Sequence, residues 1–287
     1  MRARGIALLG ALLLVAACGP SGAVARPFGP GASVHTINVG GVDRGYRLYI
    51  PAGLPPAASL VVMLHGWTGS ATQAERVYGW NQLADSAKFV VAYPEGVGGS
   101  WNAGAGGSPT SDQAGCCGRA SRDGVDDVGF VTAAVREIVA NVGIDPARIY
   151  AAGISNGGML AYKLACDSAV FAAIGPDSAT QLDACPAPHP TSVLHIHGTG
   201  DRLIRYDGEP GTAVPIKTPP PPDLNAFWRT VDQCQPPETT VDGGLTTSVA
   251  DCPSGRSVEL ITVAGGGHEW PSFATQRMWD FFAAHPG

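Results

Sequence analysis

The sequence predicts an α/β fold in which a mostly parallel sheet carries helices on both faces. Short apolar segments alternate along the chain with amphipathic ones, which is the order of strands and helices in parallel sheets. Residues 59–64 form a continuous apolar run, typical of a parallel strand that is buried on both faces. The chain shows no internal repeat, and its 287 residues are enough for one large core. We therefore expect a single folded domain over residues 34–287.

The predicted elements begin with an antiparallel hairpin, residues 34–39 and 46–50, around a Gly-rich turn. The other predicted strands are residues 59–64, 89–93, 148–153, 171–174, 192–196 and 258–263. The predicted helices are residues 74–88, 126–141, 159–166, 223–231 and 273–284. A long Gly-rich loop covers about residues 95–122, and a loop of this length usually carries function.

Composition excludes two classes of protein. Only 15% of the residues are charged, and the formal net charge is -6. Nucleic-acid binding needs a clustered basic surface, so we expect no nucleic-acid partner. The 39 glycines and 24 prolines follow no period, so they indicate ordered loops around a core and not a fibrous or low-complexity chain.

The first eighteen residues resemble an export signal and not a part of the fold. Arg2 and Arg4 precede an apolar run over residues 6–15, which is too short to span a hydrocarbon core of roughly 30 Å. Residues 14–18, Leu-Val-Ala-Ala-Cys, resemble a bacterial lipobox. We therefore expect residues 1–18 to be a lipoprotein signal peptide.

The lipobox predicts lipidation of Cys18, and hence an exported protein that is held on the membrane by its N-terminus. Each buried CH₂ group of an acyl chain contributes about 0.8 kcal/mol, so several chains anchor a protein firmly. Residues 19–33, rich in Gly, Pro and Ser, are then a flexible tether to the domain. An ordinary secretion signal is the alternative, in which case the protein is released outside the cell.

Six cysteines remain after Cys18, an even number that suggests up to three disulfides in an exported chain. The pairs that we favour are Cys234–Cys252, Cys166–Cys185 and Cys116–Cys117. The adjacent cysteines of the third pair can instead each have another partner. A zinc site is disfavoured because adjacent cysteines lack the C-x₂-C spacing, and we expect no metal.

The strongest functional signal is the G-x-S-x-G sequence of residues 153–157, between a predicted strand and a predicted helix. A turn of this kind holds the serine in a strained conformation with its hydroxyl above the sheet. Gly153 and Gly157 are needed because side chains there would collide with the flanking backbone. The pattern predicts Ser155 as the nucleophile of an α/β-hydrolase.

A serine hydroxyl needs a base, and in this fold the acid and then the histidine follow the serine along the chain. His268 lies on a Gly-rich turn after the last predicted strand, where the base belongs. Asp201 follows the preceding predicted strand, so we expect it to orient His268 and stabilise its protonated form. Asp207 is the alternative acid.

The oxyanion hole of this fold takes one N–H group from the residue after the nucleophile and another from a loop after an early strand. Asn156 supplies the first. Trp67 is the preferred second donor, with Thr68 as the alternative, and Gly66 lets the backbone approach the substrate.

Several other polar residues are expected to be structural. His195 and His197 belong to a predicted strand and its end, and His65 is interpreted as a hydrogen-bonded scaffold residue. Asp126 and Asp127 open a predicted helix, where carboxylates favour the N-terminus, so capping is their expected role.

Eight short motifs follow one another within residues 34–284: His65-Gly66, Tyr93-Pro94-Glu95-Gly96, Ser100-Trp101-Asn102, Cys116-Cys117-Gly118, Val125-Asp126-Asp127-Val128-Gly129-Phe130, the Ser155 turn, His197-Gly198-Thr199-Gly200-Asp201 and Gly267-His268-Glu269-Trp270-Pro271. In this order they resemble the poly(3-hydroxybutyrate) depolymerase and feruloyl esterase family of α/β-hydrolases. With the lipobox, the chain is most similar to the LpqC-type esterase lipoproteins of that family.

The resemblance implies ester hydrolysis by Ser155, His268 and Asp201, without a cofactor. It also implies that Trp101 and Trp270 line the substrate pocket. Trp67 departs from the family, since several members carry a smaller residue such as cysteine at that position. A backbone donor survives this change, but the size of the acyl pocket depends on it.

The sequence thus predicts an exported serine carboxylic ester hydrolase. Its expected partner is an ester substrate: a small ester, a feruloyl or acetyl polysaccharide, or a hydroxyalkanoate polyester. An acyltransferase with a sugar or lipid acceptor is one alternative. A catalytically silent surface-binding protein on the same scaffold is another, although loss of activity usually leaves a gap in the triad.

Overall fold

The computed structural model of the protein describes residues 28–104 and 116–287. The strands are β1 (Gly31–Val39), β2 (Val42–Ile50), β3 (Ala58–Leu64), β4 (Val90–Pro94), β5 (Ile144–Ile154), β6 (Ala173–Asp177), β7 (Ser192–Gly198), β8 (Glu238–Asp242), β9 (Leu245–Asp251) and β10 (Ser257–Val263). The helices are α1 (Ala71–Val77), α2 (Trp80–Ala87), α3 (Gly118–Arg122), α4 (Asp127–Asn141), α5 (Asn156–Asp167), α6 (Pro221–Val231) and α7 (Ala274–Ala284). A 3₁₀ turn spans Pro253–Gly255.

The ten strands form one sheet in the order β1-β2-β4-β3-β5-β6-β7-β10-β9-β8. The six strands from β4 to β10 in this order pair in parallel, and an antiparallel pair closes each edge. The prediction of a mostly parallel sheet with helices on both faces is confirmed.

The side chains of the parallel strands divide between two cores, one on each face of the sheet. In β3, Leu60, Val62 and Leu64 point to one core, whereas Val61 and Met63 point to the other. Helices α4, α5 and α6 cover the first core, and α1, α2 and α7 cover the second. Strands buried on both faces are largely apolar, which is why residues 60–64 of β3 form a continuous apolar run.

The fold brings the predicted functional residues to one edge of the sheet. Ser155 follows β5, Asp201 follows β7 and His268 follows β10. These strands are mutually parallel, so their carboxyl ends lie on the same side. Ligand sites of open parallel sheets form at this edge.

Two predicted element boundaries were wrong, and glycines explain both. The first hairpin turns within Gly40 and Gly41, both at positive φ, so β2 starts at Val42 and not at residue 46. The single helix predicted over residues 74–88 is two helices, because Gly79 at φ 73° interrupts it.

The hairpin β8–β9 was not predicted. All five residues of β8 are exposed, and β9 is mostly half-buried. An edge hairpin of this kind has no apolar face to produce a period of two, so its sequence gives no strand pattern.

The signal segment of residues 1–18, with Cys18, lies outside the described residues, as does most of the predicted tether. Residues 31–33 of that tether belong to β1, so the folded domain begins earlier than residue 34. Within the described ranges, no helix has the length and apolar character needed to cross a membrane.

Candidate active site

Ser155 stands on a sharp turn between β5 and α5. Its backbone has φ 56° and ψ −125°, a strained conformation for a residue with a side chain. A Cβ atom on Gly157 would collide with the carbonyl oxygens of Leu64 and His65, and one on Gly153 would collide with Gly157. The Ser155 N–H donates to the Asp177 carbonyl at 2.9 Å. The two glycines are therefore required for the turn, as the motif predicts.

Asp201 and His268 come together although they are 67 residues apart. His268 Nδ1 lies 2.8 Å from Asp201 Oδ2, and the Asp201 side chain is fully buried. A proton on Nδ1 donates to the carboxylate and leaves Nε2 free to accept one. This is the arrangement in which an aspartate orients a histidine base.

Four donors surround the Asp201 carboxylate. Oδ1 accepts the N–H groups of Leu203 at 2.8 Å and Ile204 at 3.0 Å. Oδ2 faces His268, and His197 Nε2 lies 3.5 Å away. Burial raises the pKa of the Asp201 carboxyl, but the hydrogen bonds from these groups outweigh burial and hold that pKa well below its ordinary value. Asp201 is therefore a carboxylate throughout the neutral range.

The alternative acid, Asp207, lies in a different environment. Its side chain is half-exposed and pairs with the Arg205 guanidinium, whose Nε donates to Oδ1 at 2.9 Å. The bond to His268 is made by Asp201. The structure thus favours Asp201 over Asp207 as the orienting acid.

The two proposed oxyanion donors are backbone N–H groups at neighbouring turns. Asn156 is the first residue of α5, where backbone N–H groups lack helical partners. The Thr68 N–H already donates to the Gly99 carbonyl at 2.8 Å. Among residues 28–104 and 116–287, no hydrogen-bond acceptor pairs with the Trp67 N–H. The geometry therefore favours Trp67 over Thr68 as the second donor.

The prediction for Trp101 was wrong. The sequence predicts it in the substrate pocket, but it is fully buried and does not line the cavity at Ser155. Its Nε1 donates to the His65 carbonyl at 2.8 Å, and its backbone exchanges two hydrogen bonds with the Asn156 side chain. Trp101 therefore supports the turns that carry the proposed oxyanion donors.

His65 holds the same region together. The pattern of its bonds requires the proton on Nδ1, which donates to the Gly66 carbonyl at 2.8 Å, while Nε2 accepts from the Gly96 N–H at 3.0 Å. Burial lowers the pKa of His65. This neutral ring fits the structural role expected for it.

A cavity of about 410 Å³ opens in front of Ser155 and His268. Its wall includes the side chains of Trp67, Tyr78 and Leu203. Trp67 is 46% exposed, whereas Tyr78 is buried, so one aromatic side chain stands at the rim and the other deeper. The cavity offers flat apolar surfaces beside the serine.

Trp270 does not line this cavity itself but a groove next to it. Its ring lies 5.0 Å from that of Tyr78, and its Nε1 donates to Thr275 Oγ1 at 2.9 Å. Tyr78 borders both concavities. The ring of Tyr78 therefore lies between Trp270 and the cavity, and the contact of Trp270 with substrate stays a prediction.

The structure links the three favoured cysteine pairs: Cys116–Cys117, Cys166–Cys185 and Cys234–Cys252. Cys117 borders the cavity in front of Ser155. Within the described part of the chain, no three His, Cys, Asp or Glu side chains gather as metal ligands.

Asp126 and Asp127 have different roles. Asp126 caps α4 by accepting the Gly129 N–H at 2.7 Å. Asp127 is buried and pairs with Arg44 at 2.7 Å, while its other oxygen accepts the Asn102 N–H. Capping describes only the first of these two carboxylates.

The sequence profile of the family described as Esterase PHB depolymerase matches residues 44–201, which is more than half of the chain. The chain belongs to this family. Membership confirms the resemblance inferred from the motifs, and it places this esterase among the carboxylic ester hydrolases.

Among curated proteins, the esterase is 36% identical to "Putative esterase NocK" of Nocardia uniformis subsp. tsuyamanensis, over 82% of this chain and 73% of that protein. It is 30% identical to "Feruloyl esterase B" of Piromyces equi, over 74% of this chain but only 40% of that longer protein. The solved structure of an acetyl xylan esterase from Aspergillus awamori superposes with a TM-score of 0.65 at 16% identity, covering 88% and 99% of the two chains. This likeness confirms the α/β-hydrolase fold.

Asp177 is a buried carboxyl group of the esterase that the sequence did not reveal. It ends β6, directly beside Ile154 and the Ser155 turn. Burial raises the pKa of Asp177 well above its ordinary value, the Ser178 hydroxyl opposes this, and the carboxylates of Asp201 and Glu269 raise the pKa further. The predicted strand stopped at residue 174, so the position of Asp177 at the strand end was missed.

Asp177→Asn is expected to stabilise the esterase more at pH 7 than at pH 5. An unfolded aspartate ionises above pH of about 4, whereas folded Asp177 stays protonated, so the wild type loses about 1.4 kcal/mol per pH unit until its folded-state pKa is reached. Asparagine removes this loss. Urea unfolding at both pH values measures the difference, with the exposed Asp280→Asn as control. A stability gain that is independent of pH would contradict the buried neutral acid.

Proposed function

We propose that the chain is an exported serine carboxylic ester hydrolase that works through an acyl-enzyme. The observation that carries the proposal is the 2.8 Å contact of His268 Nδ1 with buried Asp201, with His268 and Ser155 in the wall of one cavity. A serine, a histidine and an oriented carboxylate are the parts that nucleophilic acyl transfer needs.

The proposed reaction begins when Ser155 Oγ attacks the ester carbonyl and His268 Nε2 takes its proton. The N–H groups of Asn156 and Trp67 stabilise the negative oxygen, and the N-terminus of α5 adds favourable potential. His268 then returns the proton to the leaving alcohol. Water attacks the acyl-enzyme by the same route in reverse, and the free acid leaves.

The favoured substrates are feruloyl or acetyl esters of polysaccharide, with hydroxyalkanoate polyesters as the competing class. The cavity next to Ser155 has the rings of Trp67 and Tyr78 in its wall. Flat aromatic acyl groups pack well against such rings. The name of the Piromyces equi relative supports the same class.

The test is hydrolysis by the purified protein of p-nitrophenyl acetate, butyrate and octanoate, methyl ferulate and a hydroxybutyrate oligomer. We expect turnover of the short esters, with methyl ferulate preferred over the octanoate. A preference for the oligomer would instead indicate hydroxyalkanoate polyesters as the natural substrates. Complete inertness toward all five would contradict ester hydrolysis.

Acyl transfer uses the same first half-reaction and differs only in the acceptor. The rim residue Trp67 is exposed, so water reaches the cavity. We therefore expect free acid as the product even when a sugar or alcohol acceptor is present in excess. Acylated acceptor as the main product would overturn hydrolysis in favour of transfer.

The groove beside Trp270 is proposed to receive the alcohol part of the substrate. It measures about 500 Å³ and adjoins the cavity through Tyr78. Trp270 shares it with the amides of Gln82 and Gln276 and with the Ser86 hydroxyl, and no charged side chain lines it among the described residues. Neutral hydrogen-bonding groups around an aromatic ring suit a sugar chain.

Trp270→Ala is expected to lower kcat/KM for a feruloylated oligosaccharide by about five- to tenfold, because a buried aromatic contact to the sugar is lost. Methyl ferulate has no sugar, so its kcat/KM should change less than about twofold. Steady-state kinetics on the two esters measures both. Equal losses on the two substrates would contradict a sugar-binding groove.

Export and lipidation of Cys18 are part of the proposal. The three disulfides of the domain support an oxidising compartment outside the cytosol. Metabolic labelling with a fatty-acid probe, compared with Cys18→Ala, tests the anchor. Unlabelled wild type would favour a released protein.

A further inference from the structure

A line of buried polar side chains leads through the core to Asp201. Tyr162 of α5 and His195 and His197 of β7 are all fully buried. Tyr162 Oη lies 2.8 Å from His195 Nδ1, and His195 Nε2 lies 3.0 Å from His197 Nδ1. His197 Nε2 reaches the Ile204 carbonyl at 2.8 Å. Four polar groups are thus joined in a line through the core.

The direction of every bond in this line follows from its last member. A carbonyl only accepts, so the proton of His197 is on Nε2, and its Nδ1 must accept. His195 therefore donates from Nε2 and accepts at Nδ1. The Tyr162 hydroxyl is then the donor at the start of the line. Each neutral ring uses one donor and one acceptor, and no buried nitrogen remains unpaired.

Charged rings do not fit this arrangement. A proton added to His197 Nδ1 would face the Nε2–H of His195 across 3.0 Å, and one added to His195 Nδ1 would face the Tyr162 hydroxyl that donates to it, so either proton would break a bond of the line. Burial, and next the neighbouring His197, lower the pKa of His195, while burial raises the pKa of Tyr162. Both shifts favour the uncharged forms of His195 and Tyr162.

The line ends on the loop that holds Asp201. His197 and Ile204 bracket residues 198–203, and their 2.8 Å bond closes this loop. The N–H of Ile204 binds Asp201 Oδ1, and His197 Nε2–H is also 3.5 Å from Oδ2. The ring Nε2–H of His197 is the last donor of the line. It binds Ile204, whose own backbone N–H binds the Asp201 carboxylate.

We infer that Tyr162, His195 and His197 are positioning residues, which form a one-directional hydrogen-bond chain that fixes the Asp201 carboxylate and, through it, His268. This inference rests on the proposed ester hydrolysis for its kinetic consequence. Its structural content, the location of the protons, is independent of any activity.

Other titratable groups face the same end of the sheet. Tyr206 lies edge-on to the His197 ring at 5.7 Å, and its hydroxyl bonds to Thr262. Asp177 and Glu269 are the neighbouring carboxyl groups. None of these is among the hydrogen-bonding partners of the His195 or His197 ring nitrogens in the described residues.

The first test is ¹⁵N NMR of the imidazole rings of the wild-type protein, whose seven histidines are assigned by single substitutions. We expect both His195 and His197 to carry the ring proton on Nε2 at neutral pH, and His195 to remain neutral between about pH 5.5 and 8.5. A proton on Nδ1 of either ring at neutral pH would overturn the inference.

The second test compares Tyr162→Phe with Tyr46→Phe. Both variants remove the hydroxyl of a buried tyrosine that makes one hydrogen bond. The Tyr46 hydroxyl donates to Glu137, which is not part of the Tyr162–His195–His197 line. Tyr162→Phe should lower kcat by about three- to tenfold and change KM less than about twofold, because a positioning bond is lost and no substrate contact is. Tyr46→Phe should leave both constants unchanged.

The NMR spectrum of Tyr162→Phe supplies the link between the two tests. We expect its His195 signals to shift with the fall in kcat, while the melting temperature shows that the variant is folded. An unchanged kcat in a folded variant with shifted His195 signals would overturn the positioning role. A wild type inert toward all esters would instead speak against hydrolysis, so the two failures are distinguishable.

Discussion

Ser155→Ala is expected to lower kcat/KM for p-nitrophenyl acetate by about 10⁴- to 10⁶-fold, which is the range for loss of a serine nucleophile. The variant cannot form the acyl-enzyme, while the cavity and the oxyanion donors remain. KM or substrate binding should therefore change far less than kcat. Steady-state assays over a range of ester concentrations measure both quantities.

The control for this change is on the same helix. Ser155 and Ser168 flank α5 at its two ends, and the Ser168 hydroxyl donates to the Leu164 carbonyl at 2.7 Å. Ser168→Ala removes the same atom far from the cavity and should keep full activity. Activity that survives Ser155→Ala would show that the nucleophile lies elsewhere, or that the protein acts without one.

Asp201→Asn is expected to lower kcat by about 10³- to 10⁴-fold with little effect on KM. The amide keeps the shape of the side chain but carries no charge, so it no longer stabilises the protonated His268. An amide NH₂ facing Nδ1 would also favour the wrong tautomer, with the proton on Nε2. The measured quantities are kcat and KM for a p-nitrophenyl ester.

Asp207→Asn is the matched control, since Asp207 is the other aspartate near the same loop and pairs with Arg205 at the surface. It should retain activity within about twofold, because surface ion pairs contribute little. The reverse result, with Asp207→Asn inactive and Asp201→Asn active, would exchange the two assignments.

Much of the proposed site could be predicted because its signals are local. The G-x-S-x-G sequence is enough to predict the turn, because a side chain at Gly157 would collide with the backbone of Leu64 and His65. Asp201 and His268 follow strands whose apolar runs are readable, so their place at one sheet edge follows from parallel pairing.

The errors concern residues whose environment is set by distant parts of the chain. Trp101 is enclosed because its backbone pairs with the Asn156 side chain, 55 residues away. Nothing in the neighbouring sequence distinguishes an enclosed tryptophan from one that lines a pocket. The packing of Trp270 on Tyr78 joins parts of the chain that are far apart in sequence in the same way.

The line that leads to Asp201 shows the same limit. His195 and His197 were interpreted as structural from their strand, which describes each residue but not their connection. Their alternation by two puts both rings on one face of β7. The third member, Tyr162, comes from α5, and only the packing of that helix on the sheet brings its hydroxyl to His195.

The most direct test of the account is reaction with a fluorophosphonate, which is attacked by an activated serine and remains bound to it. The account predicts one added group per chain, located by peptide mass spectrometry on Ser155, with activity lost in proportion and no addition in His268→Ala. Modification of another residue, or full hydrolysis by a protein that stays unlabelled, would contradict the proposed nucleophile and its base.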